Sequence, residues 1–164
     1  MRKILVLLLC ILLILSLCAC KNKDSKIIEP VNFYYCNEEI SYNSASGVIA
    51  AEIHEGAEFQ SDAQVMLRSY LQGPKSNDYI SLIPENTIVI SLEITDSEAY
   101  IKLSDTYSQL SGIKLATGSS CIAMTLHDYT GVERIHFSTE NELLDNKDEY
   151  VITLDNLVLL DVTE

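Results

Sequence analysis

The stretch Leu67-Arg68-Ser69-Tyr70-Leu71-Gln72-Gly73-Pro74, followed by Leu82-Ile83-Pro84-Glu85-Asn86-Thr87 and Ile88-Val89-Ile90-Ser91-Leu92, decides the fold. Glycine can take the left-handed position just past a helix and proline cannot continue one, so a helix stops at Gly73-Pro74. A short polar loop and the proline-marked turn at Pro84 then feed a strand. In that strand Ile88, Ile90, Leu92 and Ile94 alternate with Val89, Ser91 and Glu93. The period of two predicts a core face carrying the isoleucines and a wet or lightly covered face carrying the rest.

Working back, Ser61-Asp62-Ala63-Gln64 fits a capping box: the Ser61 side chain accepts from the third helical N–H, and Gln64 reaches back to the cap. Ala63, Met66, Leu67, Tyr70 and Leu71 recur at helical spacing on one stripe, which predicts a helix over 62–72. Working forward, Thr95-Asp96-Ser97-Glu98 turns the chain. Ala99, Ile101 and Leu103 then alternate with Tyr100 and Lys102, completing an antiparallel hairpin.

The rest of the chain completes this unit. Val31 to Cys36 reads as a first strand, Ile40 to Ser46 is ambiguous, and Val48 to His54 reads as a second strand. Glu55 to Gln60 reads as a loop. Ser104-Asp105 reads as the cap of a short helical turn. Leu115, Ser119, Ile122 and Leu126 predict a second helix over 113–129, with Gly118 a weak point costing about 1 kcal/mol relative to alanine. Thr130-Gly131 ends it. Val132 to Ser138 reads as a strand with Ile135 and Phe137 on one face, and Asn141 to Glu149 as an acidic loop. Tyr150 to Val162 reads as two short strands around Asp155-Asn156. The fold class is therefore α+β: two layers, a small, mostly antiparallel sheet with two helices on one face.

The N-terminus reads as an address. Met1-Arg2-Lys3 is basic, and Ile4 to Leu17 is almost wholly apolar but short for a membrane span of about 20 residues. Leu17-Cys18-Ala19-Cys20 resembles the bacterial lipoprotein box, which implies cleavage between Ala19 and Cys20 and diacylation of the Cys20 thiol. Residues 1–19 are then the signal and 20–30 a polar tether, leaving 31–164 as the domain. Two or more acyl chains hold where one does not, at about 0.8 kcal/mol per buried CH₂. The expected location is the extracytoplasmic face of the cell membrane.

The formal charge is −13; losing Arg2 and Lys3 with the signal makes the mature chain −15. Such a chain is repelled by nucleic-acid phosphate and by anionic lipid headgroups. The lipid must do the holding, and a protein partner would present a basic face unless the acidity serves only solubility. Of five cysteines, Cys36 and Cys121 remain in the domain. They form a disulfide, which this compartment permits, or stay as two buried thiols, since free cysteine packs like a small hydrophobe.

From Ser61 to Ser138 the order helix, strand, strand, helix, strand resembles the GerM-type (GerMN) domain of sporulation and spore germination. The matching pieces are Leu71-Gln72-Gly73-Pro74, Ile83-Pro84-Glu85-Asn86-Thr87, the hairpin Ile88 to Leu103, Ile122-Ala123-Met124-Thr125-Leu126, and Val132-Glu133-Arg134-Ile135. The chain departs from the family pattern at Ala123-Met124 and at Thr139-Glu140-Asn141. The resemblance implies a compact α+β fold like the ring-building motifs of secretion systems. It also implies a non-enzymatic lipoprotein docking with a membrane-protein complex. Homo-oligomers are an open expectation, because ring-forming relatives do not make every member a ring-former.

Catalytic and metal signatures were sought and not met. His54, His127 and His136 lack any His-x-x-x-His or Cys-x-x-Cys spacing, so each reads as a satisfied surface or core histidine and no metal is expected. Thr117-Gly118-Ser119-Ser120 is not a nucleophile elbow. Glu93, Asp96 and Glu98 read as a solvated hairpin tip, and the spacing of Asp145, Asp148 and Glu149 is not that of a calcium loop. No cofactor motif is present. The reading is an interaction module pairing through a sheet edge or a helical face, with the first and last strands as edges. The second reading is a ligand-binding lipoprotein holding a cell-wall fragment or small solute, which would need a walled pocket.

Overall fold

A computed structural model describes residues 29–37, 48–59 and 61–157. The signal, Ala19, Cys20, most of the tether, the ambiguous 40–46 segment and the end of the chain lie outside the described residues. Seven strands divide between two sheets: β1 (Val31–Asn37), β2 (Ile49–His54) and β3 (Tyr79–Ile80) in the order β2-β1-β3, and β4 (Val89–Thr95), β5 (Glu98–Leu103), β6 (Arg134–Ser138) and β7 (Tyr150–Thr153) in sequential order. All pairs are antiparallel except β5 with β6. That parallel pair needs a long crossover, which the second helix supplies. The α+β class and the two helices stand as read.

Helix α1 (Ala63–Tyr70) buries Met66, Leu67 and Tyr70, the expected stripe. Its cap is Asp62, one residue later than the capping-box reading. The Asp62 carboxylate accepts from the N–H groups of Gln64 (2.8 Å) and Val65 (3.2 Å), while Ser61 sits outside the helix at φ 65°. A charged acceptor at the positive end of the helix outdoes a hydroxyl there. Gly73, at φ 90°, makes the left-handed exit that Pro74 enforces. The loop read over 55–60 contains a 3-10 turn at Gly56–Phe59, whose Phe59 is buried.

Helix α2 (Gly112–Thr130) buries Leu115, Ser119, Ile122 and Leu126 as read, and also Gly118, Cys121, Ala123 and Thr125. The broad buried face has a physical cause: α2 runs along β1 on one side and meets β6 and β7 on the other. A helix between two sheets cannot have one narrow apolar stripe. Gly118 is part of this arrangement, because a Cβ there would stand 3.2 Å from Ile83 Cδ1 and 3.4 Å from Leu110 Cδ1. Gly118→Ala is therefore expected to gain about 1 kcal/mol of helix propensity and lose most of it to crowding. Gly118→Leu should destabilise by roughly 1–3 kcal/mol or more from overpacking. Urea midpoints of the two variants check this.

The hairpin β4–β5 is antiparallel as expected, but β4 is not read correctly by strict alternation. A bulge between Val89 and Ser91 inserts one residue. Val89, opposite Leu103, is 6% exposed and faces the core, whereas Ile88 is 57% and Ile90 38% exposed. Leu92 and Ile94 return to the core side after the bulge, opposite Ile101 and Ala99, with Ile94 still 41% exposed near the strand end. One extra residue inverts the phase of everything before it.

Ser104 precedes the 3-10 turn Asp105–Gln109 without capping it; its hydroxyl accepts the Ile88 N–H at 3.1 Å. Asp105 instead accepts from the Asn141 backbone N–H (2.8 Å) and side-chain amide (2.9 Å), tying down the acidic loop. Those bonds, the side-chain amide first, hold its carboxyl below the ordinary range. Leu144 is buried within that loop, and Asp145 and Asn146 turn it at positive φ. Downstream, Tyr150–Thr153 is a strand, Leu154–Asn156 a 3-10 turn, and the second expected strand lies outside the described residues.

Candidate interaction surface

A docking module is defined by which strand edges are free, and β1 is not free. It lies between β2 and β3 in its sheet, which corrects the reading of the first strand as an edge. Short β3 pairs only with Cys36 and Asn37. Nearer the start of β1 the helices replace a neighbouring strand. The Tyr34 backbone N–H donates to Thr125 Oγ1 at 3.0 Å, and the Tyr70 hydroxyl donates to the Tyr34 carbonyl at 3.0 Å. Thr125 in turn donates to the Cys121 carbonyl, and the Tyr35 hydroxyl to the Tyr70 carbonyl. Side-chain hydroxyls from two helices thus close the strand's backbone, as buried polar groups require. At the rim, Asp128 accepts from the Tyr34 hydroxyl (2.8 Å) and the Asn32 amide (2.9 Å). Burial first, then this carboxylate, pushes the Tyr34 phenol up to about 12.

Cys36 on β1 and Cys121 on α2, separate in the sequence, are brought near one another as buried free thiols. The neighbouring Cys36 thiol, and then burial, hold the Cys121 thiol far above the ordinary thiol range.

The three histidines have separate structural settings. His127 Nδ1 is 2.8 Å from the Val132 carbonyl at the end of α2. Buried His54 stacks on Phe33 at 4.1 Å, with its Nε2 2.6 Å from Glu52. Glu52 also accepts the N–H groups of Lys75 and Ser76, fastening the loop after α1 to β2. Burial alone would raise the Glu52 carboxyl; the Lys75 and Ser76 N–H groups and His54 outweigh it and hold it below its ordinary value. A carboxyl depressed in the folded state lends stability above its unfolded pKa, and that stability is lost as pH falls through the lower folded value. Glu52→Gln is therefore expected to cost about 1–3 kcal/mol at neutral pH and to flatten the acid limb below the ordinary carboxylate range. Urea midpoints measured from neutral pH down through that limb check it.

His136 lies on the outer face of the four-stranded sheet. It stacks on Tyr100 at 4.4 Å, between Glu149 (3.2 Å from Nδ1) and Glu98 (3.6 Å from Nε2), with neither ring nitrogen aligned for a hydrogen bond. Glu98 also pairs with Arg134 at 3.0 Å and accepts from the Tyr100 hydroxyl at 2.6 Å. The hydroxyl, with Arg134 and His136, keeps the Glu98 carboxyl low. The group is a polar patch around one stacked pair. Among the described residues no set of His, Cys, Asp and Glu is placed to hold a metal ion, and no helix is long and apolar enough to cross a membrane.

Among the described residues the outermost strands are β2 and β3 in one sheet and β4 and β7 in the other. The last strand read in the sequence, after Asp155-Asn156, lies outside the described residues; the strand before it, β7, is the outermost described strand of its sheet. The longest of the four, β4, carries the exposed isoleucines described above. No local signal announced this edge, because a bulge is invisible to a pattern of period two.

No curated protein matches the chain. Among solved structures, the first GerMN domain of the sporulation protein GerM from Bacillus subtilis superposes with a TM-score of 0.56 at 15% identity, covering 73% of this chain and 91% of that one. The tandem GerMN domains of the same protein give a TM-score of 0.55 at 15% identity, covering 73% of this chain and 43% of theirs. The chain thus spans under half of the tandem pair, and the likeness shows the fold. The model of the Germane family, described as sporulation and spore germination, matches residues 32–145, from β1 through the loop before β7. With more than half of its length matched and the GerMN fold in place, the chain belongs to the Germane family of sporulation and spore germination proteins.

Proposed function

We propose that this protein is a lipoprotein, anchored through Cys20 on the extracytoplasmic face of the cell membrane. In this reading its Germane domain docks non-enzymatically onto a membrane-protein assembly during sporulation or spore germination. The observation that carries the reading is the family match over residues 32–145 behind the Leu17-Cys18-Ala19-Cys20 box. The mature charge of −15 supports a partner with a basic face and disfavours nucleic acid. For Cys36 and Cys121, buried free thiols on neighbouring elements, we propose that thiol–disulfide exchange with an oxidised disulfide donor outside the membrane joins β1 to α2, the donor leaving as its dithiol.

The test is cross-linking and pull-down of the anchored protein from sporulating and vegetative membranes, with partners identified by mass spectrometry. Reproducible recovery of one membrane protein from sporulating cells is the expected result. Recovery of none, with the purified domain binding a cell-wall fragment, would replace this reading with that of a ligand-binding lipoprotein. For that second reading, the depression lined by Pro30, Ile53, His54 and Ala57 is open and about 280 Å³, at the small end for a ligand site.

A further inference from the structure

We propose that β4 is the docking edge, and that its occupant is an extended, basic segment of the partner protein added to the sheet beside β4. This rests on the docking reading above and names the surface and the chemistry of the partner. β4 is seven residues long and among the described residues pairs with one strand only, β5; helix α1 also packs against it, while Ile90 and Glu93 to Thr95 stay exposed. In an antiparallel pair alternate residues turn their N–H and C=O away from the neighbour, so about three residues of such a strand offer both groups outward.

Edge strands that stay unpaired are usually short, or carry lysine, proline or a bulge. β4 has no lysine or proline, and its bulge at Ile90 leaves Ser91–Thr95 in regular register. Ile88, Ile90 and Ile94 present apolar surface along it. Among them and at its ends stand exposed Glu85, Glu93 and Asp96, and residues 85–98 contain no Lys, Arg or His. An added strand would therefore meet backbone groups to pair with, aliphatic side chains to cover, and negative charge to neutralise.

Charge also decides among occupants. A second copy paired edge to edge would set acidic residues against acidic residues, and like charges across strands destabilise the pair. A segment alternating Lys or Arg with aliphatic residues places opposite charges there instead. The Glu85 and Glu93 carboxylates would steer its approach and fix its register.

The test places the photoreactive residue p-benzoylphenylalanine at Ile90 in the full anchored chain, with Ile113 on α2 and Val151 on β7 as separate control sites. Both controls are exposed. After irradiation of sporulating membranes, the captured peptide is sequenced. The expected result is capture from position 90, and not from 113 or 151, of a net-basic segment. Glu85→Lys with Glu93→Lys should lower its yield by about two- to thirtyfold, given about 0.2–1 kcal/mol for each of the two charge pairs. Both substitutions fall on exposed positions, so an unchanged thermal midpoint shows that the domain remains folded.

Capture of the partner only from 113 or 151 overturns this proposal and leaves the docking function standing. Capture from 90 of another copy of this chain or of an acidic segment overturns it as well, as does a yield that the two substitutions leave unchanged. Capture of nothing from any position overturns both readings.

Discussion

Tyr70→Ala is expected to leave the domain largely unfolded near physiological temperature. The Tyr70 ring is fully buried, stacked on Tyr35 with centroids 4.8 Å apart and planes within 3°, and set edge-on to Phe33 at 5.6 Å. Removing a buried aromatic ring costs about 3–5 kcal/mol. The same change orphans the Tyr34 carbonyl on β1, adding about 1–3 kcal/mol. Total stability for a domain is about 5–15 kcal/mol, so the sum takes most of the margin. Tyr70→Phe keeps the ring and removes only the hydroxyl, and is expected to cost about 1–3 kcal/mol. Urea unfolding of both variants separates packing from the hydrogen bond. A neutral Phe variant would mean that the hydroxyl does not close the strand edge. A Phe variant as damaged as Ala would mean that the ring contributes little.

Cys20→Ala is expected to abolish membrane anchoring by lipid, an all-or-none effect. The thiol is the group that carries the diacylglycerol in this reading, and Cys18, the nearest other thiol, follows Leu17 and not a small residue. Electrostatics offers no fallback in this reading: without Arg2 and Lys3 the chain would carry −15, which anionic headgroups repel. Intact-mass measurement should find acyl chains on a wild-type protein beginning at Cys20 and none on the variant. Residues 21–164, exported behind an unrelated signal, should remain wholly in the aqueous phase on detergent partitioning. Acylated Cys20→Ala protein, or a detergent-phase 21–164 chain, would place the anchor elsewhere.

Much of the fold was legible because it is written in local patterns. The α1 stripe ending at Gly73-Pro74, the α2 stripe from Leu115 to Leu126 and the Ala99-Ile101-Leu103 face each repeat within one element. Burial follows directly from such repeats. The Asp62 cap was misplaced by one residue because Ser61 and Asp62 are both good caps and only the backbone path chooses. The outward isoleucines of β4 were misread because a bulge changes no residue type, only the register.

The candidate surface was less legible than the fold. The acidic composition and the Leu17-Cys18-Ala19-Cys20 box, from which export and a lipid anchor are proposed, need no fold to be read. The helix, hairpin and helix order is likewise determined by the sequence alone, since each element's periodicity and its Gly, Pro and Asp punctuation act over a few residues. Only the tertiary structure decided that, among the described residues, β1 is an interior strand and β4 an outermost one. Tyr34 meets Thr125 across 91 positions of sequence, and Tyr70 meets Tyr34 across 36. Hydrogen bonds between such distant groups depend on how whole elements pack, and no local pattern encodes that.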